Sequence, residues 1–413
     1  MEEILATVFL QLLNRSITAG WIVLAILLLR LFLKKAPKWI TVALWGMVAF
    51  RLLCPFSFKS VLSLIPSAET VSPGIMTAQT PTVNTGVPIL NEALNYALKT
   101  NLSPATGDSA NPLQIWIPLL AAVWVVGIVI LLAHTAVSYL RLRRKVSTAV
   151  LLRENVYQTE HAVSPFALGA IKPKIYLPFH LREQDAEHVI AHEQAHIRRK
   201  DHWWKPLGFL LLTLHWFHPL LWVGYLLLCK DIELACDEKV IKELNRDRKA
   251  DYSQALLTCS VRRRTPSACP LAFGETGVKS RVKSVLHYKK PAVWVIAVAV
   301  VLCVALAACA LTDPKIKYQG SVACRVTRDD YFIEYDLTED AMEKIVSLLN
   351  NGNWVDDVPN CACDYEFRMD RELIQYHSEC GTFVDAVNGR SFTLSAEEKA
   401  DFERIFRIEK TES

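Results

Sequence analysis

The stretch AEHVIAHEQAHIRRKDHWW, Ala186 to Trp204, decides how the rest of this 413-residue chain is read. It contains His192-Glu193-Gln194-Ala195-His196. On an α-helix, side chains four residues apart share a face, so both imidazoles can bind one metal ion. Glu193 between them is then placed to polarise a water at that metal and to shuttle its proton. No Gly or Pro interrupts Glu183 to Arg198, which predicts a helix over that range. The competing reading is a solvated helix that carries two His and a Glu by chance.

A catalytic zinc site takes three protein ligands and leaves one position open. Two residues compete to be the third. His202 lies six residues after His196, the spacing of HExxHxxGxxH, but Arg199 stands where that pattern has its Gly. Without the Gly the helix need not turn, and His202 should point away. Glu233 in DIELACDEKV is the better candidate. Asp237 is one turn further along the same face, where it can accept a hydrogen bond from a ligand His and fix its tautomer. The bland alternative for Glu233 and Asp237 is an exposed acidic face.

The segment between the two motifs tests this choice. Pro206 to Cys229 carries no charge and is long enough to span a bilayer. A single crossing would leave Glu233 and His192 on opposite sides. Pro219 breaks the run into two short halves, which predicts a helical hairpin over 206–229, buried in the domain or dipping into the bilayer. His215 and His218 fall at this bend, either capping it or helping to stabilise an oxyanion. His188, one turn before His192, is read as structural.

Further out, four apolar stretches are candidate spans: Ser16 to Leu33, about Trp39 to Leu53, about Ile115 to Val137, and about Ala292 to Leu311. Hydrophobic residues make up 52% of the chain and the mean hydropathy is +0.20, which favours a membrane protein. Arg30 and Arg51 lie near segment ends, where they can snorkel. Met1-Glu2-Glu3 argues against a signal peptide, which begins with positive charge. Lys34, Lys35 and Lys38, then RLRRK (Arg141 to Lys145), then Lys289 and Lys290 mark the cytoplasmic flanks. The expected order is two transmembrane helices in 1–57, an external loop over 58–112, a third helix over 113–139, a cytoplasmic zinc metalloprotease domain over 140–290, a fourth helix over 291–312, and an external C-terminal sensor domain over 313–413. The net charge of +4 implies no direct nucleic-acid binding.

Four ordered blocks carry a family resemblance: SPFALGAIKPKIYLP (Ser164 to Pro178), HVIAHEQAHIRRKDHWWK (His188 to Lys205), HWFHPLLW (His215 to Trp222) and DIELACDEKV (Asp231 to Val240). With the spans, they cover roughly residues 1–312. The chain resembles the BlaR/MecR-type antirepressor metallopeptidases, membrane receptors with a cytoplasmic gluzincin-like protease domain. The resemblance implies zinc held by His192, His196 and Glu233, with Glu193 as catalytic base. It also implies a signalling role, in which the activated protease cuts itself and a cytoplasmic repressor protein is lost. The block SRVKSVLHYKK (Ser280 to Lys290) lies where such self-cleavage would fall. The expected fold class is therefore mainly α: a multi-pass helical membrane protein with a gluzincin-like zinc protease domain and a small external α+β domain. Partners would be membrane lipid, the repressor, and an unknown external ligand.

The chain departs from the family in two places. His218 stands where an Asn is expected before the Pro of the bend. The tail from Thr312 to Ser413 contains no Ser-x-x-Lys, and the one such match downstream of the protease motif, Ser280 with Lys283, falls on the cytoplasmic side. A covalent beta-lactam sensor is not expected. The tail instead reads as a small α+β unit, with a strand over Tyr331 to Leu337, a helix over Thr338 to Asn350, and a helix opened by the Ser395/Glu398 pair. Cys324, Cys361, Cys363 and Cys380 can form disulfides outside the cell; Cys361, Cys363, His377 and Cys380 can alternatively bind a metal. Cys309, at the end of a lipobox-like LAAC, is read as apolar filler. Two rival functions use the same chemistry or none of it: a housekeeping quality-control protease, and a non-catalytic receptor. The separate tail argues against the first, and an intact Glu193 against the second.

Overall fold

The computed structural model describes residues 2–54, 58–60, 62–67, 70–76, 81, 83–102, 111–162, 164–242, 244–261, 277–314, 323–328, 331–337, 339–355, 357, 363–369, 372–386 and 389–412. The chain divides into two compact units: Met1–Ala68 with Ile115–Pro314, and Glu69–Gln114 with Lys315–Ser413.

The first half of the chain runs α1 (Glu2–Phe32), α2 (Lys38–Leu53), β1 (Phe58–Ser60), α3 (Pro88–Asn101) and α4 (Leu113–Lys145). Next come β2 (Val150–Arg153), β3 (Val156–Thr159), β4 (Phe166–Leu168) and β5 (Lys174–Pro178). The helices α5 (Glu183–Arg198), α6 (Asp201–Leu214), α7 (Pro219–Ile241), α8 (Arg246–Val261), α9 (Val278–Leu286) and α10 (Val293–Ala310) follow, then β6 (Thr312–Pro314).

Three helices among the described residues are long and apolar enough to cross a membrane: Glu3–Lys35, Leu113–Lys145 and Val293–Ala310. The second expected span, α2, has 16 residues. At 1.5 Å per residue it reaches about 24 Å, short of the roughly 30 Å hydrocarbon core. It packs against α1, α7 and α10. Its C-terminal end meets the end of α10: β1 pairs with β6 in parallel, and Arg51 forms an ion pair with Asp313. The opposite end of the α1–α2 hairpin is tied to α7. Arg30 Nη2 donates to Asp231 Oδ1 at 2.9 Å, and the Lys38 backbone N–H donates to Glu238 Oε2 at 2.6 Å. Arg30 and Arg51 are thus paired with carboxylates where the sequence suggested snorkelling.

The apolar run from Pro206 to Cys229 falls in two helices that pack on each other. Helix α6 ends at Leu214 and α7 begins at Pro219. Proline at the first helical position needs no backbone N–H, so it starts α7 without strain. Pro206 lies inside α6 without ending it. Ile22, Ile26, Leu44, Trp45, Phe209, Leu212, Leu221 and Tyr225 form one buried cluster, joining α1, α2, α6 and α7. Helix α7 then continues unbroken from this apolar half into Asp231, Glu233 and Asp237. The four-stranded sheet has the order β2-β3-β5-β4, leaving β4 at an edge beside α5.

The second unit contains α3 and the tail elements β7 (Ala323–Arg328), β8 (Tyr331–Asp336), α11 (Glu339–Asn351), β9 (Tyr365–Met369), β10 (Glu372–His377), β11 (Thr382–Asp385), β12 (Arg390–Thr393) and α12 (Ala396–Glu412). The tail is the expected α+β unit. Its six strands pair antiparallel in the order β12-β11-β10-β9-β7-β8. Phe367, Tyr376, Phe383, Phe392 and Phe402 pack with Ile345 and Leu349 in its core. The anticipated capping box is present: the Ser395 N–H donates to Glu398 Oε2 at 2.9 Å, and the Glu398 N–H donates to Ser395 Oγ at 3.3 Å. Cys380 is disulfide-bonded, which removes it from the alternative metal set, and Cys363 is a free thiol. Cys361 and the Cys324 side chain lie outside the described residues.

Candidate metal centre

Helix α5 spans Glu183–Arg198, the range its uninterrupted sequence predicts. Its buried face presents His192 and His196, whose rings stand at 90° with centroids 4.7 Å apart. Their Nε2 atoms are 3.1 Å apart. Two nitrogens bound to one zinc at 2.0–2.1 Å in tetrahedral geometry would be about 3.3 Å apart, so the rings are near that arrangement. Glu233 enters from α7, with Oε2 at 3.4 Å from His192 Nε2 and Oε1 at 3.5 Å from His196 Nε2. One ligand atom from each of the three lies within 4.8 Å of the others. All three side chains are buried.

Each imidazole is oriented through its other nitrogen. His192 Nδ1 lies 2.9 Å from Tyr252 Oη and 3.2 Å from Asp237 Oδ1. Tyr252 Oη in turn donates to Asp237 Oδ1 at 2.7 Å. His196 Nδ1 donates to Asp201 Oδ2 at 2.9 Å, and Cys236 Sγ lies 3.2 Å from both atoms. A proton held on each Nδ1 leaves a lone pair on each Nε2, the tautomer that metal binding requires; that of His196 faces Glu233, and that of His192 faces Glu233 and Arg281 Nη2, 3.2 Å away. The donor set of two imidazoles and a carboxylate fits a divalent transition metal such as zinc.

The surrounding charges are balanced within the protein. Lys205 Nζ donates to Glu233 Oε1 at 2.8 Å. Arg281 forks onto Asp237 through Nε (2.7 Å) and Nη2 (2.6 Å). Burial opposes ionisation of Asp237, yet the adjacent Arg281 guanidinium holds its carboxyl well below the usual range. Asp201 is also lowered: burial pushes it up, and the hydrogen bond and charge of His196 outweigh that push. Burial, and then the Asp237 charge, push the Tyr252 phenol up, so it remains a donor.

Sequence reasoning brought His192, Glu193, His196, Glu233 and Asp237 to the site, and the fold gathers all five. Glu193 is half-buried and lines a cavity of about 300 Å³ together with His192, His196 and Glu233. His202 lines the same cavity but belongs to no metal-capable group among the described residues. Arg199 in place of a Gly does not keep the chain straight. The chain does turn after α5 without a glycine, through Lys200 in the left-handed region at φ 61°. That turn starts α6 with Asp201 facing His196. His215 and His218 do not line the cavity. His215 Nδ1 donates to the Leu211 carbonyl at 2.9 Å and caps α6, while His218 packs against Gly20 of α1. His188 lines the cavity, with its ring edge-on to Tyr252.

Asp201, Lys205, Tyr252 and Arg281 were missed. Asp201 was readable only as part of the charged run RRKDH. Arg281 belongs to the basic block expected to hold a cleavage site. That block is helical over Val278–Leu286, with Arg281 and Val285 buried, so its bonds there cannot take an extended form unless α9 unwinds.

The profile of the BlaR1 peptidase M56 family matches residues 10–285. The chain is similar to a methicillin resistance mecR1 protein of Staphylococcus aureus, 28% identical over 133 residues, covering 30% of this chain and 23% of that protein. The same identity and coverage hold for the mecR1 protein of Staphylococcus epidermidis. It is also similar to the regulatory protein BlaR1 of Bacillus licheniformis, 25% identical over 195 residues, covering 41% of this chain and 32% of that protein. The matched stretches thus span a third or less of these relatives. With a family match running from α1 through α9, this membrane-helix protein belongs to the BlaR1 peptidase M56 family.

Proposed function

We propose that this protein is a membrane-embedded zinc endopeptidase that transduces an external signal to the cytoplasm. The observation that carries the reading is the convergence of His192 Nε2, His196 Nε2 and the Glu233 carboxylate at a cavity that Glu193 also lines. His192, His196 and Glu233 would hold the zinc, with Asp237 fixing the first imidazole. When bound, zinc supplies Lewis acidity toward a peptide carbonyl and the attacking water. Glu193 takes a proton from that water and delivers it to the departing amide nitrogen. The edge strand β4 lines the cavity through Phe166, Ala167 and Leu168. Its unpaired side can add an extended peptide as a further strand and lay it across the ligands.

The signalling half of the proposal is supported by the named relatives, a methicillin resistance protein and a regulatory protein. The second unit, with its own core, suits a sensor of an external ligand. A cytoplasmic repressor is then the downstream target, whether cut directly or lost indirectly. The cytoplasmic placement of 140–290 is supported by the clustering of Lys34, Lys35 and Lys38 at the end of α1–α2 that meets α7. Two measurements test the proposal. Metal analysis of the purified full chain should find one zinc, and a chelator should remove both zinc and proteolysis. Thiol labelling of intact cells should spare a cysteine placed near Arg143; labelling there would invert the orientation.

A further inference from the structure

We propose that Arg281 is a positioning residue for the candidate metal centre, holding the Asp237 carboxylate against His192 and making the segment that leads into α10 part of the site. The inference rests on the reading of His192, His196 and Glu233 as metal ligands.

In sequence, Arg281 looks like one more solvated cation among Lys279, Lys283, Lys289 and Lys290. In the fold it is 1% exposed and is the largest fully buried side chain among the described residues. A buried guanidinium is tolerated only where its charge and its donors are matched. Here Nε and Nη2 make two parallel bonds to the two oxygens of Asp237, Nη2 also lies 3.2 Å from His192 Nε2, and Nη1 lies 3.3 Å from Glu233 Oε2. Glu233 and Asp237 are two buried carboxylates one turn apart on α7, and they would repel without a cation between them. Arg281 bridges both.

The fork also fixes the plane of the Asp237 carboxylate. Oδ1 is thereby aimed at His192 Nδ1 and Tyr252 Oη, the two contacts that set the first imidazole. A lysine at this position would keep the charge and lose the fork. Helix α9 carries Arg281, packs on α7 and α8, and ends at Leu286; α10 begins at Val293.

The test uses the full chain in lipid nanodiscs, as wild type, Arg281→Lys and Arg281→Ala. Zinc retention is measured against a graded chelator, and the visible spectrum is recorded after replacement of zinc by cobalt(II). Arg281→Lys should melt near the wild-type temperature, bind zinc roughly 10–100-fold more weakly, and shift the cobalt bands. Arg281→Ala should lose more affinity; where it does not fold, the lysine variant decides. Wild-type affinity and an unchanged cobalt spectrum in Arg281→Lys would overturn the proposal while leaving the ligand assignment intact. A wild-type protein that takes up no zinc would overturn both.

Discussion

His196 Nδ1 and Asp201 Oδ2 lie 2.9 Å apart across the left-handed turn at Lys200. Each candidate ligand imidazole therefore has its own carboxylate, Asp237 for the first and Asp201 for the second. Asp201→Asn should weaken zinc binding by roughly 10–100-fold, because an amide can present its N–H where the imidazole needs an acceptor. Titration with a competing chelator measures this. Unchanged affinity would reduce Asp201 to a capping role for α6.

Glu193 is in the cavity but outside the group of converging ligand atoms. Glu193→Gln should keep the metal and lower peptide hydrolysis by at least about 100-fold, the usual contribution of a positioned general base. Metal content and cleavage of a casein substrate, measured on one preparation, separate the two effects. Wild-type cleavage by this variant would remove the enzymatic reading.

Glu233 and His202 make opposite predictions. Glu233→Ala removes the charged donor from a three-ligand set, so zinc should be lost on dialysis. His202→Ala should retain zinc, since His202 lines the cavity apart from the converging atoms. The reverse result would reassign the third ligand.

Asp231 sits two residues before Glu233 and joins α7 to α1 and α2. Its oxygens accept from Arg30 Nη2 and from Trp45 Nε1, both at 2.9 Å. Asp231→Ala leaves the Arg30 charge without its partner in a mostly buried place, at a cost of about 3–5 kcal/mol. Thermal unfolding in detergent should show a clear drop, and a smaller one for Asp231→Asn. Equal melting of all three proteins would show that the α1–α7 clamp carries little energy.

In the tail, burial first, and then the charges of Glu366 and Asp364, push the Cys363 thiol up to about 11. A raised thiol value disfavours the reactive thiolate, so alkylation should be slow at pH 8 and accelerate as the pH rises toward 11. Unfolding the tail should restore ordinary reactivity at pH 8. Rapid labelling of the folded protein at pH 8 would contradict the burial of this thiol.

Much of the site was legible because it is written in local spacing. His192, Glu193 and His196 share a helical face by their separation alone, as do Glu233 and Asp237. Pro219 announced the break between α6 and α7, and Ser395 with Glu398 announced α12. Apolar length picked out α1, α4 and α10, but also α2, which at 16 residues is too short to span. Tertiary structure decided which charges are buried and with whom. Arg281 and Asp237 are 44 residues apart in sequence, and Tyr252 and His192 are 60 apart. A lysine-rich block reads the same whether its arginine faces water or fills a core. Periodicity records the face of one helix, whereas the pairing of a buried charge depends on which helices pack together, and only the assembled fold sets that.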